Sequence, residues 1–326
     1  MNASLNELRG VFEKELTAYI ESLEGGNLYD PIKYILSLGG KRIRPTLTLL
    51  GCQSFEGNLT DAFPAALAVE IFHNFTLVHD DIMDEAPLRR GKQTVHHKWD
   101  VNAGILSGDA MLIEAYRNLS NCSPAKLPAL MNLFNRTSME VCLGQQYDMD
   151  FETDSAVTEE RYVEMIGLKT AVLLGCSLEM GARIAGADEN DARSIYQLGK
   201  AAGIGFQLQD DYLDAFGDPE NFGKQVGGDI LANKKTFLII KALEKASSEV
   251  KKELEQLYFK KGEHSPEEKV KKTLGHFRDL KVDRENIERS ESFFSEPESC
   301  LENLNIDQNR KDDLGAFLEL LRQRKR

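Results

Sequence analysis

Two aspartate clusters carry the chemistry this chain could do. Asp80, Asp81 and Asp84 close the stretch FHNFTLVHDDIMD, and Asp210, Asp211 and Asp214 repeat the pattern as DDYLD. Asp80 and Asp84 stand four apart, so on a helix their carboxylates would share one face, roughly 5–6 Å apart. Carboxylates that close raise each other's pKa unless a cation sits between them. Mg2+ suits the pair, because it takes one or two carboxylates, keeps water and completes its shell with phosphate oxygens. A solvated acidic helix end is the plainer reading of one cluster, although negative charge at a helix C-terminus opposes the macrodipole. Two such clusters on helical stretches can converge across a cavity, and that favours a metal site.

Cations follow the same logic. Lys41, Arg42 and Arg44 come directly after Gly39-Gly40, where glycine gives backbone access and Lys41 and Arg44 could hold a diphosphate. Arg89, Arg90 and Lys92 lie in a loop punctuated by Pro87 and Gly91, and adjacent arginine forks can reach different phosphates. At about 100° per residue, His73, Thr76, Asp80 and Asp84 fall on one helix face, so His73 is a candidate ligand contact as well as a candidate core histidine. Lys169 interrupts the apolar run MIGLKTAVLLG and is expensive there unless it meets phosphate or carboxylate, the alternative being a stem that snorkels to water. Gln145 and Asp148 sit in GQQYD. Gln207, Asp210 and Asp214 share a face at i, i+3 and i+7. Lys224, Lys234 and Lys235 follow on a glycine-rich segment and the next helix start.

The elements that must position these residues are helical. Periodicity predicts helices over 3–23, from Asp30-Pro31 to Gly39-Gly40, 61–84, 101–118, 124–152, 158–187 with Thr158 as start signal, and 189–214. Gly203 and Gly205 would permit close packing of the last of these. Beyond 245 the pattern predicts helices over 248–262, 266–281 and 307–322, and no chemistry before 320. The terminal Arg322-Gln323-Arg324-Lys325-Arg326 is a frayed basic tail or a lid. No alternating strand runs, hairpin turn pairs or internal repeat are legible, nor any composition break marking a linker. The fold class expected is all-α, a single domain over 1–326 of ten or more helices around a central cavity.

Composition excludes several classes. With 326 residues, 41% hydrophobic content and a formal charge of −13, the chain can build a core but offers no nucleic-acid or anionic-membrane surface. Its five cysteines show no ligand spacing, and no leader or eighteen-residue apolar run is present, so a soluble cytoplasmic protein without stable membrane insertion is expected.

The set GGKRIRP (39–45), DDIMD (80–84), LRRGK (88–92), GQQYD (144–148), KT (169–170), FQLQDDYLD (206–214) and GKQVGGDILANKKT (223–236) resembles the trans-isoprenyl diphosphate synthase, or polyprenyl synthetase, family. The resemblance runs from 36 to 236 in the family's order. It implies an isoprenoid-synthase-type helical bundle, usually a homodimer, that condenses isopentenyl diphosphate with an allylic diphosphate. Asp80, Asp81 and Asp84 would hold two Mg2+ ions and Asp210, Asp211 and Asp214 a third. Arg89, Lys169, Lys224 and Lys234 would hold the allylic diphosphate, and Lys41, Arg44, His73 and Arg90 the isopentenyl diphosphate. Thr170 and Gln207 would face the carbocation. The first motif has two residues between its aspartates, as in the types without an insertion, and NKKT replaces the commoner GKxT.

An aromatic at Phe75 with the small Thr76, and Phe72 one turn further from Asp80, resembles short-chain types that make geranylgeranyl or farnesyl diphosphate. Ideal helix arithmetic places Thr76 with Asp80 but Phe75 about 140° away. The alternatives are a medium- or long-chain synthase, a class I terpene cyclase, whose second metal motif is missing here, and a non-catalytic regulatory subunit, which usually loses the aspartates kept here.

Overall fold

A computed structural model describes residues 3–154, 156–217, 226–259 and 265–323. The chain is all-α: helices account for nearly every element, and one two-stranded hairpin of two-residue strands is the whole sheet content among the described residues. Contacts divide it into two compact units. The first comprises residues up to Asn135, Cys176–Tyr196 and Leu304–Ala316; the second comprises Arg136–Gly175, Gln197–Asn303 and the chain from Phe317 on.

In the first unit, α1 (Ala3–Ser22), α2 (Tyr29–Ser37), α3 (Ile43–Ser54), the short α5 (Val95–Lys98) and α6 (Val101–Leu119) pack against the apolar α4 (Leu59–Met83). Asn58 caps α4 by accepting from the Thr60 N–H, and Asp100 caps α6 by accepting from the Ala103 N–H at 2.8 Å. α4 meets α6 at Gly104 and Gly108, one turn apart, where a Cβ would run into Ile82 and His79 respectively. Phe72 is fully buried and meets the Phe134 ring edge-on at 5.3 Å between centroids. Asp30, where the sequence predicts this helix to begin, lies inside α2. The helix starts one residue earlier, and Asp30 reaches back to accept from the Gly26 N–H at 3.1 Å.

In the second unit, α7 (Leu127–Thr153, entering from the first unit) is followed by α8 (Glu159–Ile166), whose cap Thr158 accepts from the Arg161 N–H. The single helix expected over 158–187 is interrupted by a π-turn at Gly167–Ala171 before α9 (Val172–Ala185) resumes. α10 (Glu189–Phe216), α11 (Gly228–Leu231), α12 (Phe237–Lys245), α13 (Ser248–Phe259), α14 (Pro266–Asp279), α15 (Val282–Asn303) and α16 (Gln308–Arg322) complete the chain, with residues 176–185 of α9, 189–196 of α10 and 308–316 of α16 belonging to the first unit. Gly203 and Gly205 do allow close packing, with Ala171 against the first and Phe294 against the second. A core of Tyr162, Met165, Ala171, Ile204, Leu208 and Phe237 lies among α8, the π-turn, α10 and α12.

Candidate active site

The sequence-predicted residues fall in both units. In the first unit, the C-terminal end of α4 presents Asp80, half-buried in its last turns, and Asp84, exposed as its C-cap with its N–H bonded to the Asp80 carbonyl at 2.8 Å. Asp81 differs from both. It is 1% exposed, and Arg89 grips it, Nε at 2.9 Å from both carboxylate oxygens and Nη2 at 2.7 Å from Oδ1. Burial pushes the Asp81 carboxyl up while the Arg89 bonds pull it down, and the net direction is upward.

Arg89 and Arg90 sit on a hairpin, β1 (Leu88–Arg89) against β2 (Lys92–Gln93), where a loop was expected. Its two turn residues, Arg90 (φ 53°) and Gly91 (φ 72°), both have positive φ, the type I′ pattern that matches strand twist. The signal was obscured because arginine is a rare first residue for that turn. Arg90 lies over Gly40, where a Cβ would be 2.9 Å from its guanidinium carbon, and donates to the Gly39 carbonyl.

Lys41 is exposed just ahead of α3, and Arg44 lies in that helix's first turn, its Nη1 3.1 Å from His73 Nε2. A guanidinium can only donate, so His73 Nε2 accepts and the ring proton is on Nδ1. Burial, reinforced by Arg44, Arg90 and Arg89, holds His73 well below the usual imidazole range, so it is neutral. Burial also lowers Arg44 to about 10 against the pull of Glu70, which leaves it charged at neutral pH. Thr76 turns its hydroxyl back onto the His73 carbonyl at 2.8 Å. Phe75 stacks edge-on with His79 (4.9 Å) and is 5.6 Å from Phe72, on the 75/79 line of the helix.

In the second unit, Lys169 and Thr170 lie on the π-turn, which inserts one extra residue and reorients side chains that an α-helix would carry elsewhere. Lys169 donates to Asp148 at 2.5 Å, so its partner is a carboxylate. Gly144 makes room for the turn, since a Cβ there would strike the Lys169 backbone nitrogen. Thr170 donates to Gln207 Oε1 at 3.2 Å, and Gln207 Nε2 donates to Asp211 Oδ1 at 3.2 Å. Tyr162 closes the chain by donating to Asp211 Oδ2. Asp210 and Asp214 are half-buried beside the buried Asp211. Asp214 Oδ2 accepts from the Asp229 N–H at 2.9 Å, holding the start of α11.

Asp229, Tyr162 and Asp148 carry weight that the motif reading did not assign. Asp211 is pushed up to about 8, first by burial and then by Asp229, with Asp214 adding to it. The sequence signal for Asp229 was an acidic residue opening a short helix after Gly227-Gly228, one glycine-rich loop beyond DDYLD. Lys234 is half-buried after α11, its N–H bonded to the Asp229 carbonyl, while Lys235 donates to the Phe151 carbonyl at 2.6 Å and to that of Asp154, crowning the C-terminus of α7. Lys224 and residues 324–326 of the tail lie outside the described residues.

Among the described residues no three His, Cys, Asp or Glu side chains gather into a closed metal cage. The donors are nonetheless carboxylate oxygens set close enough that burial and like charge raise Asp211, and a hard cation would relieve that repulsion. An oxygen-only set with open positions fits Mg2+ completed by water and phosphate, and does not fit a structural zinc site.

Residues 26–276 match the sequence model of the polyprenyl synthetase family. A geranylgeranyl diphosphate synthase of Methanosarcina mazei is 42% identical over 220 residues, 67% of this chain and 68% of that protein. A crystal structure of a geranylgeranyl pyrophosphate synthase superposes with a TM-score of 0.94 at 48% identity over 100% of both chains. The geranylgeranyl pyrophosphate synthase of Corynebacterium glutamicum, complexed with isoprenyl diphosphate and magnesium, gives 0.90 at 27% identity over 98% of this chain and 99% of that one. The fold is thus the all-α isoprenoid synthase type and the protein is a prenyltransferase. The chain belongs to the polyprenyl synthetase family.

Proposed function

We propose that the chain works as one polyprenyl synthetase domain over residues 1–326, joining isopentenyl diphosphate head-to-tail to an allylic diphosphate to give geranylgeranyl or farnesyl diphosphate, the former favoured, and pyrophosphate. One observation carries the reading. A single helix, α4, bears Asp80 and Asp84 at its C-terminal end and, two turns earlier, the neutral His73 bonded to Arg44. Seven residues of helix rise separate His73 from Asp80, roughly 10 Å. One helix thus offers an anchor for a metal-bound diphosphate and another for a diphosphate held by cationic side chains.

In this reading Asp80 and Asp84, with Asp81 held beside them by Arg89, hold two Mg2+ ions, and Asp210, Asp211 and Asp214 hold a third. Bound Mg2+ supplies charge neutralisation to the departing diphosphate. Arg89, Lys169, Lys224 and Lys234 bind that diphosphate, and their fixed charges favour the state in which the allylic C–O bond is broken. Lys41, Arg44, His73 and Arg90 bind isopentenyl diphosphate and orient its double bond toward the cation. Thr170 and Gln207, locked to each other and to Asp211, present neutral oxygen to the cation without a nucleophile strong enough to trap it. Loss of a proton to the released pyrophosphate completes the new double bond. Purified protein given isopentenyl diphosphate, an allylic diphosphate and Mg2+ should release pyrophosphate and elongate the prenyl chain, and EDTA should stop it. Turnover of the allylic substrate alone to a cyclic hydrocarbon would reject the reading.

The protein acts in the cytoplasm as a homodimer. Among the described residues one helical run, Glu159–Ala185, is both long and apolar enough to cross a membrane, and 83% of its most apolar stretch is buried inside the protein. Exposed large apolar side chains concentrate on two helices, as Val101, Ile105, Leu106 and Ile113 on α6 and Met139, Leu143 and Met149 on α7. Light scattering should give the mass of two chains, and Ile113→Asp should shift it toward one. A monomeric wild type at micromolar concentration would refute the dimer.

A further inference from the structure

The cationic turn proposed as a diphosphate clamp is built around an arginine that is buried and bonded within the fold through all three of its nitrogens. Arg42 lies between Lys41 and Arg44, and its side chain is 2% exposed. Each of its three nitrogens is engaged. Nη1 donates to Glu70 at 2.6 Å, Nη2 to the Leu36 carbonyl at 2.6 Å, and Nε to Glu13 at 3.2 Å. Glu70 is equally buried and also accepts from Asn74 at 2.9 Å, the residue next to His73 on α4. Arg42 itself has φ 50°, a left-handed conformation that costs a non-glycine residue about 1–2 kcal/mol and persists only where surroundings impose it. It follows Gly39 and Gly40, whose φ of 76° and 138° also lie in the positive region. Arg9 on α1 adds a bond to the Gly40 carbonyl at 3.3 Å.

We propose that Arg42 is the positioning residue of this clamp: bolted to Glu70, Glu13 and the Leu36 carbonyl, it fixes the left-handed turn that sets Lys41, Arg44 and His73 for the isopentenyl diphosphate. Glu70 supplies the buried counter-charge that lets cationic residues share one small region, and its place on α4 ties the turn to the helix bearing His73. Glu13 and Arg9 give α1 a functional task, although that helix lies outside residues 26–276 that match the family. A bond network that only stabilised the fold would show in thermal unfolding and leave the two substrates equally affected. One that sets the clamp must separate them.

The proposal rests on the reaction proposed above, and the test keeps the two apart by running wild type alongside. Arg42→Lys keeps the charge and one bond to Glu70 but loses the fork that reaches Leu36 and Glu13. KM for isopentenyl diphosphate should rise roughly tenfold, with kcat and the allylic KM within about twofold of wild type, the pattern of lost ground-state positioning. Glu13→Gln removes the charge of the partner nearest solvent, leaving a weaker neutral acceptor, and should raise the same KM by about threefold with the melting temperature unchanged. It decides the matter if Arg42→Lys does not fold. Equal rises for both substrates, or an unchanged KM for isopentenyl diphosphate in folded Glu13→Gln protein, overturn the positioning role while the reaction stands. Wild type that fails to elongate overturns both.

Discussion

Asp80→Ala lowers kcat roughly a thousandfold, about 4 kcal/mol of transition-state stabilisation, while the melting temperature stays the same or rises slightly. The asymmetry follows from its position. Asp80 sits in the last turns of α4 and Asp84 at its C-cap, where the helix dipole disfavours negative charge by about 0.3–1 kcal/mol. Removing the carboxylate relieves that penalty and takes away the metal anchor. Asp81→Ala should behave in the opposite way. Its carboxylate is buried and satisfied by Arg89, so truncation strands a partly buried guanidinium and costs about 2 kcal/mol of stability. Steady-state kinetics and thermal unfolding on the two variants give the readout. Near-full activity of Asp80→Ala with unchanged Mg2+ dependence would remove Asp80 from the metal site.

The contrast between Asp80 and Asp81 also marks where sequence reading ran out. Spacing put Asp80 and Asp84 on one helix face, and α4 extends over both as the periodicity required. Nothing in DDIMD says that its second aspartate is the buried one, because that depends on Arg89 arriving from a hairpin eight residues later. The same holds for DDYLD, where Asp211 is buried under Tyr162, a residue 49 positions upstream. In both motifs the middle position is occupied by a neighbour that the pattern does not contain.

Helices were legible where their buried face is apolar. α4, α6, α7 and α10 start and stop within a few residues of the periodic pattern. α15 was missed because its buried line runs Val282, Asn286, Ser290, Phe294, with two polar residues among four, and because Pro297 lies inside it. Ser290 donates to the Gly205 carbonyl at 2.9 Å, so burial there is satisfied by a hydrogen bond that hydropathy does not register. The π-turn at Gly167–Ala171 is likewise silent in periodicity: one extra residue in a long apolar run shifts the phase without breaking the pattern. The cationic turn at 39–44 was read for the charges that face outward. Arg42, the one turned inward, is counted among the cations of that turn without a role, since only the three-dimensional placement of Glu70 and Glu13 distinguishes it.

Phe75→Ala shifts the product to longer chains with little loss of stability, whereas Phe72→Ala mainly costs stability. Both aromatics stand upstream of Asp80 on α4, where a lengthening prenyl chain must pass if its diphosphate is held at the C-terminal end of the helix. Phe72 is 1% exposed and wedged against Phe134, so removing it opens a cavity in a packed core and costs about 3–5 kcal/mol. Phe75 is only half-buried and rests on His79, with a free flank where Phe72 has none. Since α4 runs unbroken from Leu59 to Met83, the helix arithmetic holds and Phe75 does not share the Asp80 face. It would therefore limit the chain from the side, its ring held over the path by stacking on His79, and Ala at that position leaves the path open by a ring's volume. Mass spectrometry of dephosphorylated products decides. Wild type should stop at geranylgeranyl or farnesyl and Phe75→Ala should add at least one five-carbon unit, with unfolding temperatures separating Phe75→Ala from Phe72→Ala. Identical product lengths from wild type and Phe75→Ala would move the length-setting contact elsewhere, and products of thirty carbons or more from wild type would end the short-chain assignment.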